Sequence, residues 1–181
     1  MASKVSRIYG DAYVNLKLEE KQLEKAMEET KTVREVLRSN EELKRFLHHP
    51  QITKEEKMKT IETIWKGNVS DDMVGFLRII IRKGRSREMD GILDYIIERI
   101  RKLLGIGCLE VTSAIPLSEE QKKKIREKVL GGSDYQDLEI SYKTDVSIIG
   151  GLILRMDNRI VDSSIRTKLT SMGDYLSGIS R

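Results

Sequence analysis

Apolar residues in the first part of the chain recur with the period of an α-helix. Between residues 5 and 16 they fall at spacings of three and four, and a second stripe of the same period runs from Leu23 to Leu37 with no clear breaker between the two. Caps and stops then delimit four further stretches of helical pattern. The pattern up to residue 105 predicts an all-α bundle of six helices.

The predicted helix boundaries depend on side chains that satisfy free backbone groups. A Ser, Thr, Asn or Asp at the N-cap accepts a bond from a free amide, and a Glu or Gln three residues later completes a capping box. Glycine and proline are typical of helix ends. The third helix is predicted to begin at Asn40 and end before Pro50, and the fourth to begin at Thr53 and end at Gly67. The fifth is predicted to begin at Ser70 and end at Gly84, and the sixth to begin with a cap at Ser86.

The apolar period changes from helical to alternating after the glycines at 105 and 107. Three strands, a short return strand and two helices are predicted beyond this point. Their markers are Leu109, the Ser118–Gln121 capping box, Ile140, the run 146–156, a two-residue turn at Asp157–Asn158, and a cap at Asp162 or Ser163. The chain is therefore predicted to form two domains, a helical bundle over residues 1–105 and a small α+β domain over residues 106–181.

Two adjacent glycines, Gly150 and Gly151, stand in the middle of the most strand-like run of the chain. Glycine weakens a strand interior because it has no side chain to pack and loses the most backbone freedom on folding. We therefore expect a bulge here, or the close approach of another backbone segment such as the last helix, which a β-carbon would block.

Composition and charge narrow the class of protein. The 181 residues carry a net charge of +4, from 33 basic and 29 acidic side chains, and only 5% of them are aromatic. So mild a charge and so few stacking rings argue against a nucleic-acid-binding protein. No run approaches the ~20 continuous apolar residues of a membrane helix, and the N-terminus lacks the apolar core of a secretory signal, so a soluble chain is expected.

No residue pattern indicates catalysis, a metal site or a cofactor site. The two histidines, His48 and His49, are neighbours, so on a helix they diverge by roughly 100° and cannot share a metal. Cys108, the single cysteine, allows no internal disulfide and is expected to be a buried, inert thiol at the start of an apolar strand. The glycine-rich segments lack the Lys and Ser/Thr of a phosphate-binding loop.

The predicted fifth helix is apolar over an unusually wide arc. Its apolar residues from Met73 to Ile81 span about 220°, against the ≳100° stripe of a helix packed on a single core. One interpretation is that it is the central helix of the bundle; another, compatible with the first, is that part of its surface beside the first helix lines an open groove for an amphipathic helix from another protein. A basic cluster at its C-terminal end suits either the helix dipole or an acidic partner. The cluster is Arg78, Arg82, Lys83, Arg85 and Arg87.

Three segments of the chain match one family pattern, in the same order and over nearly the full length. The most specific is DVSIIGGLILRMDNRIVDSSIRTKL at residues 145–169, and the others are SRIYGDAYVNL near the N-terminus and FLRIIIRKGR at residues 76–85. Together they resemble the delta subunit of F-type ATP synthases, called the oligomycin-sensitivity-conferring protein in mitochondria. The signature residues are Asp145, Gly150, Gly151, Arg155, Asp162, Ser164 and Arg166. Gly10 stands where alanine is usual, which weakens a helix by about 1 kcal/mol unless close packing compensates.

The resemblance implies a connector that has no catalytic activity and no cofactor. It implies that the helical domain grips N-terminal helices of the alpha subunits of the catalytic head. It also implies that the second domain joins the b subunits of the peripheral stalk and so resists rotor torque during proton-driven ATP synthesis. Such a subunit meets the membrane only through the complex, at the cytoplasmic face of a bacterial membrane or its organellar equivalent. The residues selected for the groove that binds the alpha subunits are Ile8, Ala12, Leu77, Ile80 and Ile81.

The residues alone leave other classes of protein open. A generic helical adaptor would bind amphipathic helices but neither alpha nor b subunits. A basic nucleic-acid binder would lose affinity steeply with added salt, and the scarcity of aromatic residues argues against it. An enzyme is the least supported class.

Overall fold

The first of two compact units is helical. The computed structural model describes residues 3–156 and 159–179, with side chains as far as Tyr175. The chain divides into the units Met1–Leu103 and Leu104–Arg181. The helices of the first unit are α1 (Lys4–Glu19), α2 (Leu23–Ser39), α3 (Glu41–His48), α4 (Lys54–Trp65), α5 (Asp71–Arg82) and α6 (Met89–Leu103), with a 3₁₀ turn at Ser86–Glu88 before α6.

The core of the helical unit includes a full face of α6. Ile92, Ile96 and Ile100 recur every four residues, and Leu93 and Ile97 lie beside them; all five side chains are 0% exposed. Helix α6 packs against α1 and α2, while α5 packs against α4. Burying one such side chain stabilises a fold by roughly 1.5–3 kcal/mol, so these five residues contribute a large share of the stability of the helical unit.

A residue in the left-handed conformation separates α1 from α2. Lys21 has a φ of 56°. The Gln22 amide donates to the carbonyl oxygen of Lys17 at 2.9 Å, and the Lys21 amide donates to that of Leu18 at 3.1 Å. Glycine usually occupies such a position at a helix C-terminus, so a lysine there leaves no recognisable breaker in the sequence.

Close packing explains the glycine at position 10. A β-carbon at Gly10 would overlap Cδ1 of Tyr95, whose ring lies against this point of α1. The Tyr95 hydroxyl also donates to Asp11 at 2.8 Å, which holds the ring in place. The contact between α1 and α6 therefore requires a residue without a side chain here.

The second unit combines a mixed sheet with two helices. Within the described residues it contains β1 (Ile106–Ser113), α7 (Glu119–Gly131), β2 (Asp137–Thr144), a 3₁₀ turn (Val146–Ile148), β3 (Leu152–Met156), β4 (Arg159–Asp162) and α8 (Ile165–Ile179). The strand order is β2-β1-β3-β4. Strand β1 is parallel to β2 and antiparallel to β3, and β3 is antiparallel to β4. Helix α7 makes the crossover that a parallel pair requires.

The predicted fold class is confirmed in its coarse form, a helical N-terminal part followed by a small α+β part. The predicted turn at Asp157–Asn158 lies outside the described residues, between Met156 and Arg159, which pair across β3 and β4.

The predicted burial of Cys108 is wrong, because its side chain is exposed. Leu109 and Val111 point into the core of the second unit, with 2% and 0% exposed. Successive residues of a strand point to opposite faces of the sheet, so a residue next to Leu109 must point away from that core. The alternation predicted for Leu109 and Val111 was not extended back to Cys108, which it places on the outer face.

Candidate partner-binding surfaces

Most of the apolar arc of α5 belongs to the core, which corrects part of the predicted groove. Leu77, Ile80 and Ile81, selected as partner contacts, are 0%, 0% and 1% exposed. A side chain without accessible surface cannot contact a partner unless its surroundings open. Helical periodicity cannot distinguish an enclosed helix from a binding helix, since both are apolar over a wide arc. Ile79, which the prediction left out, is 42% exposed.

Helix α1 presents an apolar stripe to solvent. Ile8 is 60% exposed and Leu16 is 44% exposed. Ala12 is also exposed and lies between them, at the four-residue spacing of one helix face. Exposed apolar side chains that are contiguous in this way mark interaction sites more often than isolated ones do. The sequence pattern placed all three on one stripe with Tyr13, and only the structure shows which members face outward.

The adjacent, buried side of α1 is fastened to α5. The rings of Tyr13 and Phe76 pack with their centroids 4.6 Å apart. Lys17 is only 2% exposed, and its Nζ donates to Asp72 at 2.5 Å and to Glu20 at 2.7 Å. Two carboxylates within bonding distance compensate the ammonium group for its lost hydration. The exposed stripe of α1 is therefore held on a fixed support.

Two ionisable groups at the α1–α5 contact, Lys17 and Tyr13, have shifted pKa values. Burial by itself lowers the pKa of Lys17, but the bonds from Asp72 and Glu20 outweigh it, and the net effect raises the pKa above the ordinary lysine value. Burial raises the pKa of Tyr13, and the negative charges of Glu29, Asp72 and Glu20 raise it further. Both groups thus hold their proton more tightly in the folded chain than in the unfolded chain.

We expect the helical unit to lose stability above about pH 10, where lysine and tyrosine side chains of the unfolded chain begin to deprotonate. The folded chain then retains protons that the unfolded chain releases, so the free energy of unfolding falls by up to about 1.4 kcal/mol per pH unit for each such group. Below that pH the contribution of Lys17 is fully present. Urea unfolding between about pH 8 and about pH 11 measures the slope. Lys17→Met should make it shallower, and an unchanged slope would contradict the role of this lysine.

The glycine pair of the second unit meets the segment that leads into α8. Gly151 has a φ of +82°, and a β-carbon there would overlap the backbone carbonyl oxygen of Ser163. At Gly150 a β-carbon would lie 2.7 Å from Cδ1 of Ile165. The Ile165 amide donates to the Gly150 carbonyl oxygen at 2.9 Å. The expected close approach of another backbone segment is confirmed, and Gly151 is the stricter position because backbone cannot rotate aside as a side chain can.

Asp162 and Ser164 secure the start of α8. The Asp162 carboxylate accepts from the Ser164 amide and from the Thr167 hydroxyl, both at 2.8 Å. These bonds, the one from Ser164 above all, lower the pKa of Asp162. Ser164 is 1% exposed, and its hydroxyl accepts from the Thr167 amide at 3.2 Å. Ser164 is therefore the N-cap of α8, so the predicted cap at Asp162 or Ser163 is wrong; Asp162 instead holds the Ser164 backbone and the Thr167 hydroxyl.

Of the remaining signature residues, Asp145 accepts from the Ser147 amide at 2.9 Å. Bonding to Ser147 lowers the pKa of Asp145, and the positive charge of Arg166 lowers it further. Arg155 is exposed on β3 and lies opposite Glu110 of β1. The structure thus explains the signature mainly as the means of joining β3 to α8.

Helix α8 turns apolar side chains to solvent between Ile165 and Tyr175, the part whose side chains the structure describes. Ile165, Leu169, Met172 and Tyr175 are 43%, 55%, 64% and 71% exposed. Their spacings of four, three and three residues place them on one face. On β4, the strand that precedes α8, Ile160 and Val161 are 59% and 57% exposed. The second unit therefore has an apolar helix face that its own described residues leave accessible, as the first unit has on α1.

Known proteins share the pattern of this chain. A family profile described as the ATP synthase delta (OSCP) subunit matches residues 5–176. The chain belongs to the ATP synthase delta (OSCP) subunit family. The ATP synthase subunit delta of Lachnoclostridium phytofermentans is 48% identical over 176 residues, which cover 97% of each chain. That of Desulforamulus reducens is 30% identical, over 95% of this chain and 94% of the relative.

The fold is also that of a solved structure. A chain of the Toxoplasma gondii mitochondrial ATP synthase hexamer, determined by cryo-EM, matches with a TM-score of 0.73 at 22% identity, over 96% of this chain and 98% of that one. As a member of the delta (OSCP) family, the chain is a non-catalytic subunit of a membrane-associated ATP synthase complex, and the resemblance noted in the sequence is confirmed. None of the described helices is both long enough and apolar enough to span a bilayer.

Proposed function

We propose that this chain is the connector between the catalytic head and the peripheral stalk of an F-type ATP synthase. Its six-helix bundle, residues 1–105, binds N-terminal helices of the alpha subunits, and its α+β domain, residues 106–181, binds the b subunits. The chain makes and breaks no covalent bond. Its function is to hold two stationary parts together while the rotor applies torque during proton-driven ATP synthesis.

One observation carries this proposal: each unit has its own accessible apolar helix face. On α1 the face is formed by Ile8, Ala12 and Leu16, and on α8 it includes Leu169 and Met172. An amphipathic helix from another protein binds to such surfaces by burying apolar residues at helical spacing. Each large side chain so buried contributes roughly 1.5–3 kcal/mol before the losses of association are subtracted. Two faces on two units match two partners.

A static role also agrees with how the faces are supported. Lys17 and Tyr13 fasten the buried side of α1 next to its exposed stripe, and the Gly151 contact with Ser163 fixes the entry to α8. A preorganised surface loses little conformational entropy on binding, so more of the contact energy remains for holding the partner. We place the chain at the cytoplasmic face of the membrane, where it is retained through the complex alone.

The experiment is a pair of titrations of the full chain by isothermal calorimetry. One uses the catalytic head stripped of this subunit, and the other uses the soluble portion of the b subunits. Ile8→Asp should weaken binding to the head at least about tenfold, because it places a charge on a surface that must be desolvated. Leu169→Asp should weaken binding to b by a similar factor. Since both side chains are exposed, both variants should keep the helical content of the wild-type chain.

Each variant serves as the control for the other. Equal loss of both partners in either variant would contradict the division between the units. A wild-type chain that binds neither head nor stalk would contradict the proposal and favour a generic helical adaptor.

A further inference from the structure

An apolar cavity lies in the second unit, beside the glycine pair. Its volume is about 450 Å³, and small-molecule sites in proteins typically have volumes of roughly 300–1,000 Å³. Ile115, Leu117 and Ile125 line one side of it, from the end of β1 to α7, and Ile149 and Leu152 line the other. The cavity is therefore large enough for a small ligand and apolar over most of its wall.

Ile149, which lines this cavity, has a strained backbone. Its φ is 68° and its ψ is −42°, and the Gly150 amide donates to the Ile148 carbonyl oxygen at 2.8 Å. This is the rare γ-turn with positive φ, which is unfavourable for a residue with a β-carbon and most of all for a β-branched one. The Ile149 side chain is 61% exposed, so burial in the core of the unit does not offset the strain. Strained residues of this kind cluster at ligand-binding sites.

Two polar side chains of α7 also line the cavity, and both are hydrogen-bond donors. Gln121 and Lys124 are three residues apart, on one face of the helix. The Ser118 amide donates to Oε1 of Gln121 at 2.9 Å, which leaves the NH₂ end of that side chain to donate. Lys122 and Arg126 are each paired with a carboxylate, whereas Lys124 has no acidic partner among the described residues. None of the described residues that line the cavity is acidic, so the site favours an anion.

We infer that this cavity binds a small amphiphile with one negative charge, of the class of medium-chain fatty acids. Its carboxylate bonds to Lys124 and to the Gln121 amide, and its hydrocarbon chain lies against Ile125 and Ile149. An anion without a chain would leave the apolar walls in water, and a neutral chain would leave Lys124 without a partner. The ligand covers Ile149, and these contacts offset the strain of its backbone. The site needs no partner subunit, so the inference goes beyond the proposed function.

Isothermal calorimetry of the full chain with decanoate, below the concentration at which decanoate forms micelles, tests this site. We expect saturable binding to one site. Lys124→Glu should weaken it at least about tenfold, because attraction of the carboxylate becomes repulsion. Lys123→Glu is the matched control: it makes the same change of charge at an exposed position of α7 outside the cavity, and it should bind decanoate like the wild-type chain.

Two further probes separate the charge from the hydrocarbon chain. Acetate carries the carboxylate without the chain, and decyltrimethylammonium carries the chain with the opposite charge. Each should bind at least about tenfold more weakly than decanoate.

Ile149→Gly tests the strained residue. Glycine adopts positive φ readily, so this variant should melt no lower than the wild-type chain although it loses a large apolar side chain. Its affinity for decanoate should fall at least about threefold, because one wall of the site is removed. Val146→Gly is the control, since Val146 is 78% exposed, has an ordinary φ and does not line the cavity. It should melt lower and keep the affinity for decanoate.

Equal binding of decanoate by the wild-type chain and Lys124→Glu would overturn the inference, as would equal binding of decanoate and decyltrimethylammonium. An Ile149→Gly variant with wild-type affinity would contradict the contact between Ile149 and the ligand. If the wild-type chain binds the soluble portion of the b subunits but not decanoate, and Lys124→Glu abolishes binding to b, the cavity belongs to the stalk interface. The inference then fails, although the proposed function stands.

Discussion

Replacing Gly151 by alanine is expected to destabilise the second unit by about 2–4 kcal/mol. The φ of +82° is unfavourable for any residue with a β-carbon, at roughly 1–2 kcal/mol. The new methyl group would also displace the backbone of Ser163, whose amide donates to the Leu152 carbonyl oxygen at 2.9 Å. Losing that bond separates β3 from the start of α8. Native-state hydrogen exchange measures the loss as faster exchange of the amides of β1 and β3.

Gly150→Ala is the matched control. Its β-carbon would meet the end of the flexible Ile165 side chain, which can change rotamer, and its φ is not in the left-handed region. We expect a loss of less than about 1.5 kcal/mol for this variant. If the two alanine variants are equally destabilised, the close approach of the Ser163 backbone is not the reason for the glycine pair.

If the two units bind different partners, Gly151→Ala should affect the binding of only one of them. Because the helical unit has its own core, its melting and its affinity for the catalytic head should stay at wild-type values. Affinity for the b subunits should fall, since α8 carries the apolar face of the second unit. Loss of head binding to the same extent would mean that the units do not act independently.

Ile81→Asp is expected to unfold the helical unit. Ile81 is 1% exposed, so the substitution removes roughly 2–3 kcal/mol of apolar burial and forces a carboxylate into the core. The total exceeds about 4 kcal/mol, which is a large part of the 5–15 kcal/mol that stabilises a typical domain. Far-UV circular dichroism should show loss of helical content, together with loss of binding to the head.

The neighbouring Ile79 supplies the control on the same helix. It is 42% exposed, so Ile79→Asp should change the free energy of unfolding by only about 0.5–1 kcal/mol and keep the helical content. Because the helical unit stays folded in this variant, its binding to the head should fall much less than that of Ile81→Asp. An Ile81→Asp variant that folds like the wild type but fails to bind would restore Ile81 as a partner contact.

The starts of α3, α4, α5 and α7 were predictable because each depends on a local bond. Asn40 accepts from the Leu43 amide at 3.0 Å, and Ser70 accepts from the Met73 amide at 3.3 Å. Thr53 and Ser118 form the expected capping boxes. The partners in every case are three residues apart, so the sequence holds all the information that the bond needs. The predicted cap at Ser86 is wrong, because a 3₁₀ turn occupies Ser86–Glu88 and α6 begins only at Met89.

The break between α1 and α2 was not predictable on the same basis. Lys21 takes the left-handed conformation at a modest energetic disadvantage that the surrounding fold offsets. The sequence also could not predict which apolar side chains point to the core and which point to solvent. Ile79 and Ile80 are adjacent and chemically identical, yet one is 42% exposed and the other 0%.

The sequence by itself determined the family, the order of helices and strands, and the positions where a close backbone approach requires glycine. These follow from residue identity, from local hydrogen bonds and from the period of apolar residues, all of which depend on residues that are close together in the sequence. Only the tertiary structure decided which apolar residues form the core and which remain accessible, because burial is set by neighbours that are distant in sequence. That is why Ile8 and Ala12 lie on a surface while Leu77 and Ile81 do not.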